Sequence, residues 1–190
     1  MTLILGFDTS GPWCAATLLR DEQVLTLRHE AMSKGQAERL MPLLEEVLER
    51  AGVTWRDLDA IGVGTGPGNF TGIRIAVSAA RGLALGLGIP SVGVDGFETR
   101  ALCAPPDQQV AVPAPRDQLY LQTDTGIAVV ARSEVDGPVH ADIDPQELAQ
   151  AIARITAERR LGATHPPAPV YARPADAAPA SDPPPVILDA

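Results

Sequence analysis

The chain has 190 residues, of which 45% are apolar and 21% are charged, as is typical of a globular protein with a packed core. Its 15 basic and 24 acidic residues give a net charge of −9, which argues against a protein that binds nucleic acid by itself, because phosphate contacts need a cationic surface. Lys34 is the only lysine, which excludes a phosphate-binding loop of the Walker type.

The cysteines and the apolar segments indicate the cellular compartment of the protein. Cys14 and Cys103 show no spacing that is typical of disulfide frameworks or metal sites, which favours a reduced setting. No cationic region precedes the first apolar run, and Asp8 follows too soon for a signal peptide. The longest apolar stretch, residues 73–90, is interrupted by two arginines, so we predict no membrane span. We therefore expect a soluble, cytoplasmic protein.

Apolar periodicity predicts an α/β arrangement in the N-terminal part of the chain. The first three strands follow one another with tight connections, which favours an antiparallel meander. Gly52 lies just beyond the end of the first predicted helix and is a candidate for its C-cap. Pro42 lies within the predicted helix, where a proline is tolerated only near the first turn. The predicted strands cover residues 2–9, 14–20, 23–29, 59–63 and 91–94, and the predicted helices cover residues 37–51, 71–87 and 96–102.

A change in composition at residues 104–109 predicts a lobe boundary. Beyond it we predict strands of a second sheet over residues 110–112, 118–123 and 127–132, and a helix over residues 145–159. The last 25 residues contain eight prolines, so we expect an extended or disordered tail apart from a docking strand at residues 170–172. The chain then divides into a first lobe (1–104), a smaller second lobe (105–165) and a proline-rich tail (166–190).

Two segments contain residues that suit a nucleotide or another anion. Asp8, Thr9 and Ser10 end the first buried strand, where a carboxylate can hold Mg²⁺ and hydroxyl groups can approach a phosphate. Gly66 and Gly68 belong to the glycine-rich loop before the second helix, whose N-terminus can attract an anion. The same residue types also form ordinary turns, and we predict no cofactor.

The second predicted helix is apolar on nearly every side, which indicates that more than one element covers it. Small residues recur along it at every fourth position, a spacing that lets a neighbouring helix approach closely. A partner protein that contacts both first-lobe helices is one explanation, and a fully intramolecular core is the other. The residues predicted to form the partner interface are Leu40, Leu44, Val47, Ala76, Ala80 and Ala84.

The sequence contains no recognisable catalytic or metal-binding constellation. His29, His140 and His165 are far apart, and none has a cysteine or a carboxylate at metal-ligand spacing. The nucleophile-elbow, metalloprotease-helix and dinucleotide-binding motifs are all absent from the sequence. We therefore predict no catalytic residue and no metal ligand.

Several segments together resemble the TsaB (YeaZ) family, and the order of the predicted elements is similar to the first lobe of the actin-like, sugar kinase and Hsp70 fold. That fold is α/β and two-lobed, a duplicated ribonuclease-H-like unit. Gln36 stands where the family often has histidine, residues 112–116 lack its usual Asp-Ala-Arg pattern, and the chain is short, which implies a reduced second lobe. The resemblance covers residues 1–102, most clearly at residues 4–10, 38–44, 64–74 and 82–90, and returns at residues 119–120 and 170–177.

This resemblance implies a role in making threonylcarbamoyladenosine in tRNA. Family members are non-catalytic paralogues of TsaD, the subunit that binds metal and transfers the threonylcarbamoyl group. In TsaD a His-x-x-x-His motif holds the metal, and the matching positions here are Gly96 and Arg100, neither of which can ligate a metal. The resemblance therefore implies a scaffold or activating subunit that pairs with a TsaD-type transferase, acts with a TsaE-type ATPase and contacts tRNA only indirectly.

Two other functions stay open at this point. One is a metal-dependent, glycoprotease-like hydrolase or an ATP phosphotransferase of the same fold, which would need the metal ligands that positions 96 and 100 lack. The other is a homodimeric binding module with no role in tRNA modification.

Overall fold

The fold is built on a five-stranded mixed sheet. The computed structural model describes residues 1–172 of the chain. The first three strands form the predicted antiparallel meander, whereas β1, β4 and β5 are parallel. The predicted α/β class is thereby confirmed. The strands are β1 (Leu3–Asp8), β2 (Trp13–Arg20), β3 (Gln23–Ala31), β4 (Ala60–Gly64) and β5 (Ser91–Val94), in the order β3-β2-β1-β4-β5.

Two helices cover one face of this sheet, α1 (Gln36–Arg50) and α2 (Phe70–Leu87), and each begins one residue before its predicted position. Gly52 follows α1 with a φ of 65°, as its predicted role at the helix end requires. Pro42, however, lies inside α1 and not near its first turn. Its side chain is exposed, and the burial of the opposite face holds the helix together.

A third layer is formed by α4 (Pro145–Arg159), which packs on the other face of the sheet against β1, β2 and β4. A Cβ atom added to Gly6 of β1 would lie 2.9 Å from the carbonyl oxygen of Ala149, so the glycine permits this close approach. The predicted second lobe, residues 105–165, includes this helix. The packing differs from that division, because the apolar face of α4 completes the core of the first sheet.

The remaining strands form two small sheets beyond α3 (Gly96–Cys103). The predicted single strand at residues 110–112 is wrong, because the chain there enters two different sheets. Val112 pairs with Tyr120, whereas the N–H of Ala111 donates to the carbonyl oxygen of His140. The strands are β6 (Gln109–Val110), β7 (Val112–Ala114), β8 (Gln118–Thr123), β9 (Gly126–Ala131) and β10 (Val139–His140), with the pairings β7-β8-β9 and β10-β6.

After α4 the chain returns to the N-terminal end of α2. The N–H of Val170 donates to the carbonyl oxygen of Thr65 at 2.8 Å, and the Arg74 guanidinium donates to the Tyr171 hydroxyl at 2.9 Å. Residues 170–172 thus dock on the first lobe by single contacts and not as the predicted strand. The rest of the predicted proline-rich tail, residues 173–190, lies outside the described residues.

Helix α2 is long and apolar enough to cross a membrane by length and composition alone. Core helices pass the same test. Here six residues of α2 are buried, and they pack with the sheet and with α1. Its two arginines, Arg74 and Arg81, lie on its exposed side.

The six residues predicted to form a partner interface lie inside this core. All of them are between 0% and 7% exposed, so they are not available to a partner. The prediction is wrong because the sheet itself needs the apolar faces of both helices. The misplaced residues are Leu40, Leu44 and Val47 of α1 and Ala76, Ala80 and Ala84 of α2.

The end of β1 and the start of α2 touch through their backbones. A Cβ atom added to Gly72 would lie 1.9 Å from the carbonyl oxygen of Thr9, far inside any normal contact. The Thr9 hydroxyl in turn donates to the carbonyl oxygen of Gly72 at 2.6 Å. This contact fixes where the loop between β4 and α2 lies.

We expect Gly72→Ala to lower the free energy of unfolding by about 1–3 kcal/mol, because the added methyl group must push two backbones apart. Gly82→Ala is the matched control, since nothing lies within 4 Å of a Cβ atom at that position of the same helix. It should raise the free energy of unfolding by up to about 1 kcal/mol through helix propensity. Denaturant unfolding followed by circular dichroism measures both, and equal effects would contradict the contact.

We expect Ala80→Trp to lower the free energy of unfolding by about 3 kcal/mol, because Ala80 is fully buried and an indole overpacks the core. Ser78→Trp places the same side chain on the exposed side of α2 and should change the stability by less than about 0.5 kcal/mol. The melting temperatures of the two variants distinguish them. A stable Ala80→Trp variant would show that the inner face of α2 is accessible.

Candidate functional site

A cleft of about 590 Å³ opens where the carboxyl ends of β1 and β4 face the second-lobe segment. Its floor is formed by the ends of the parallel strands, which is where ligands bind in open α/β sheets. The residues from β1 and the loops after it are Asp8, Ser10, Gly11, Pro12 and Trp13, and the opposite wall includes Asp95, Gly96, Thr99, Arg100, Val112 and Asp142.

Asp8 is the central acidic group of the cleft and is 2% exposed. Its Oδ1 atom accepts hydrogen bonds from the Ser10 N–H and hydroxyl, both at 2.9 Å, and from the Trp13 indole N–H at 2.8 Å. Burial raises the pKa of the Asp8 carboxyl, although these hydrogen bonds oppose the rise. The sequence interpretation of Asp8 and Ser10 as neighbours in one polar site agrees with this geometry.

The glycine-rich loop borders the same cleft. The carbonyl oxygen of Gly66 accepts a hydrogen bond from the Gly96 N–H at 2.8 Å, which ties the loop to the start of α3. Gly68 lies beside Ser10, whose carbonyl oxygen accepts the Asn69 N–H at 2.7 Å. Asn69 then caps α2 by accepting the Gly72 N–H. Gly66 and Gly68 therefore line the cleft, but the first turn of α2 is already capped by the chain itself.

Thr9 is the one predicted anion-binding residue that does not reach the cleft. Its side chain is fully buried between β1 and α2, and its hydroxyl donates to the Gly72 carbonyl. Thr9 therefore has a structural role, because alternation along the strand turns it away from Asp8. Ligand binding by the other four candidates stays a prediction.

Arg100 lies on the opposite wall and is 5% exposed. Its Nε atom donates to the carbonyl oxygen of Ala141 at 2.6 Å, and its Nη1 atom donates to that of Gly96 at 2.9 Å. Burial lowers the pKa of Arg100 to about 10, while the nearby Asp8 and Asp142 carboxylates raise it. At that pKa the guanidinium is still charged at neutral pH. From the sequence, Arg100 is predicted only to be unable to bind a metal, and no local signal indicates that its guanidinium contributes to the cleft.

Two further carboxylates near the cleft already have partners. Asp95 caps α3 by accepting the N–H groups of Phe97 and Glu98, and Glu98 accepts the Asp95 N–H in return. The Asp-x-x-Glu spacing in the sequence is typical of such a capping box. Asp142 pairs with the Arg132 guanidinium at 3.2 Å. Within residues 1–172, no group of three or more histidine, cysteine or acidic side chains is arranged to hold a metal ion.

The chain matches the family model described as "TsaD: tRNA N6-adenosine threonylcarbamoyltransferase" over residues 29–170. It is 36% identical to the tRNA threonylcarbamoyladenosine biosynthesis protein TsaB of Escherichia coli over 98 residues. That match covers 52% of this chain and 42% of the relative, so the matched segment spans less than half of the E. coli protein.

Two longer matches extend the comparison. An uncharacterized protein of Mycobacterium tuberculosis is 34% identical over 151 residues, which cover 74% of this chain and 71% of the relative. The solved structure of YeaZ from Pseudomonas aeruginosa superposes with a TM-score of 0.68 and 26% identity, covering 90% of this chain and all of that one. The superposition confirms the α/β fold that the resemblance to the family implies. The chain therefore belongs to the TsaB/YeaZ family of tRNA threonylcarbamoyladenosine biosynthesis proteins.

Proposed function

We propose that the chain is a non-catalytic subunit in tRNA threonylcarbamoyladenosine synthesis, where it pairs with a TsaD-type transferase and acts with a TsaE-type ATPase in the cytoplasm. Contact with tRNA belongs mainly to the partners, because the net charge of −9 opposes phosphate binding by this chain alone. The division into a first lobe, a smaller second lobe and a tail is part of the same proposal, with α4 assigned to the first lobe.

The observation that supports this role best is the state of the two positions that match the transferase's metal ligands. Gly96 has no side chain, and Arg100 uses its guanidinium to hold the carbonyl oxygens of Gly96 and Ala141. A cation at this position repels a metal ion and presents only donors. The site thus supports a subunit without transferase chemistry.

The cleft also offers little to a nucleotide. Three carboxylates, those of Asp8, Asp95 and Asp142, line it against the single Arg100 guanidinium. A triphosphate entering this cleft would meet net negative charge, and the first turn of α2 already has Asn69 as its cap. These features support a protein that works without a bound cofactor.

The surface that we propose for the transferase is the outer side of α1 and α2, since their inner sides form the core. The outer side of α2 presents the exposed apolar residues Phe70 and Leu85, and that of α1 presents Met41. Exposed large apolar residues on neighbouring helices are typical of protein-binding surfaces. A second copy of this chain is the other candidate occupant, and it would form an isologous dimer.

Reconstitution of tRNA modification tests the proposed role. We expect the TsaD-type and TsaE-type proteins of the same organism to modify tRNA only when this chain is present. The chain alone should show no threonylcarbamoyl transfer, and metal analysis should find no stoichiometric zinc or iron. Transfer by the isolated chain, or one tightly bound metal ion per chain, would instead favour the metal-dependent hydrolase or phosphotransferase.

A charge placed on the outer side of α2 tests the proposed surface. Leu85 is 86% exposed, and we expect Leu85→Asp to weaken binding of the TsaD-type protein by about 10-fold or more, because a desolvated carboxylate opposes an apolar contact. The matched control is Leu102→Asp on α3, where the leucine is 52% exposed outside this surface. Calorimetry measures both affinities. Equal affinities for the two variants would show that the TsaD-type protein does not contact Leu85 on α2.

A further inference from the structure

Two buried side chains of opposite charge line the cleft without forming an ion pair. Asp8 and Arg100 are both at least nine-tenths buried, yet no salt bridge joins them among residues 1–172. Their charges are nevertheless close enough to interact, because each favours the charged form of the other. Buried charges are costly unless they are paired or hydrogen-bonded, and the hydrogen bonds described above use only part of the capacity of each of these two groups.

Each of the two side chains has one polar atom that forms no hydrogen bond with any residue between 1 and 172. All three hydrogen bonds to the Asp8 carboxylate go to Oδ1, and in the described part of the chain none goes to Oδ2, which lies beside the side-chain-free Gly64. Arg100 uses Nε and Nη1 for two carbonyl oxygens, and its Nη2 atom donates to no described residue. Both residues line the cleft, so a ligand there could bond to the one carboxylate oxygen and the one guanidinium nitrogen that residues 1–172 leave without a partner.

The space around these two atoms suits a small molecule with an apolar part. The cleft holds about 590 Å³ and its deeper wall is apolar, with Val94, Ile143, Leu148 and Ile152. Polar groups at fixed positions on an apolar wall are the usual design of small-molecule sites. The other two acidic groups already have partners, Asp95 in the α3 cap and Asp142 with Arg132.

We propose that the cleft binds a small zwitterion of the free α-amino acid class. Its ammonium group lies against Asp8 Oδ2, its carboxylate accepts from Arg100 Nη2, and its side chain packs on the apolar wall. Such a ligand neutralises both buried charges at once, which neither a nucleotide nor a metal ion does. This site goes beyond the proposed scaffold role, and neither proposal depends on the other.

The test uses the intact chain and a panel of the free L-amino acids, each measured by calorimetry and by the shift in melting temperature. We expect at least one of them to bind with a dissociation constant below about 1 mM. The methyl ester of that amino acid lacks the carboxylate, and its N-acetyl derivative lacks the ammonium group. Each should bind about 10-fold more weakly or worse, because each loses one charge-assisted hydrogen bond.

Matched variants test the two named atoms. Asp8→Asn and Arg100→Gln should each weaken binding by about 10-fold or more. The matched control is Asp117→Asn, which neutralises an exposed carboxylate that lies 3.6 Å from Arg132 and outside the cleft, and it should change binding by less than about 3-fold. Circular dichroism checks that each variant is folded. If a variant of a buried residue fails to fold, the unaltered chain still tests the site, because it can be measured with the amino acid, its ester and its N-acetyl derivative.

Three results would overturn the site. The first is that no amino acid in the panel binds with a dissociation constant below about 1 mM, and the second is that the ester and N-acetyl forms bind as well as the free amino acid. The third is that Asp117→Asn weakens binding as much as Asp8→Asn does. None of these results depends on the reconstitution of tRNA modification. The failure of this site can therefore be distinguished from the failure of the scaffold role.

Discussion

The backbone contact between the end of β1 and the start of α2 holds the rest of the site in place. Thr9 and Gly72 approach so closely that only a glycine fits, and the Ser10 carbonyl accepts the Asn69 N–H just beside them. With β1 and α2 fixed to each other, the glycine-rich loop has one path across the sheet edge. The same turn holds Asp8 at the floor of the cleft. The buried position of this carboxylate is therefore a consequence of the close packing between β1 and α2.

Arg100 joins parts of the chain that are distant in sequence. Its guanidinium is bonded to α3 through Gly96 and to the segment before α4 through Ala141. In TsaD-type relatives, as the resemblance implies, the equivalent helix carries metal-binding histidines. In this chain the buried arginine at that position donates hydrogen bonds to two carbonyl oxygens, and it thereby connects α3 to the segment before α4.

Local patterns in the sequence predict most elements, and long-range packing accounts for the errors. The bounds of α4 are correct because Pro145 suits a first turn, but its position on the first sheet depends on the fit to Gly6, which no local pattern reveals. Apolar helix faces look alike whether a sheet or a partner covers them, so Ala80 was predicted to lie at an interface and is buried. The chemistry of a strand end indicates Asp8 and Ser10, whereas no local pattern indicates that Arg100 donates to Ala141, which lies 41 residues further along the chain.

The position of α4 sets the order in which this protein can be completed during synthesis. On one face of the central sheet, Ile4, Leu19 and Ala60 pack against Ala153 and Ala157 of α4. A nascent chain that has left the ribosome up to the predicted lobe boundary therefore still exposes that apolar face to water. Both faces of the central sheet are therefore covered only after α4 has emerged, so this sheet cannot be completed before the smaller sheets that precede α4 in the chain have been synthesised.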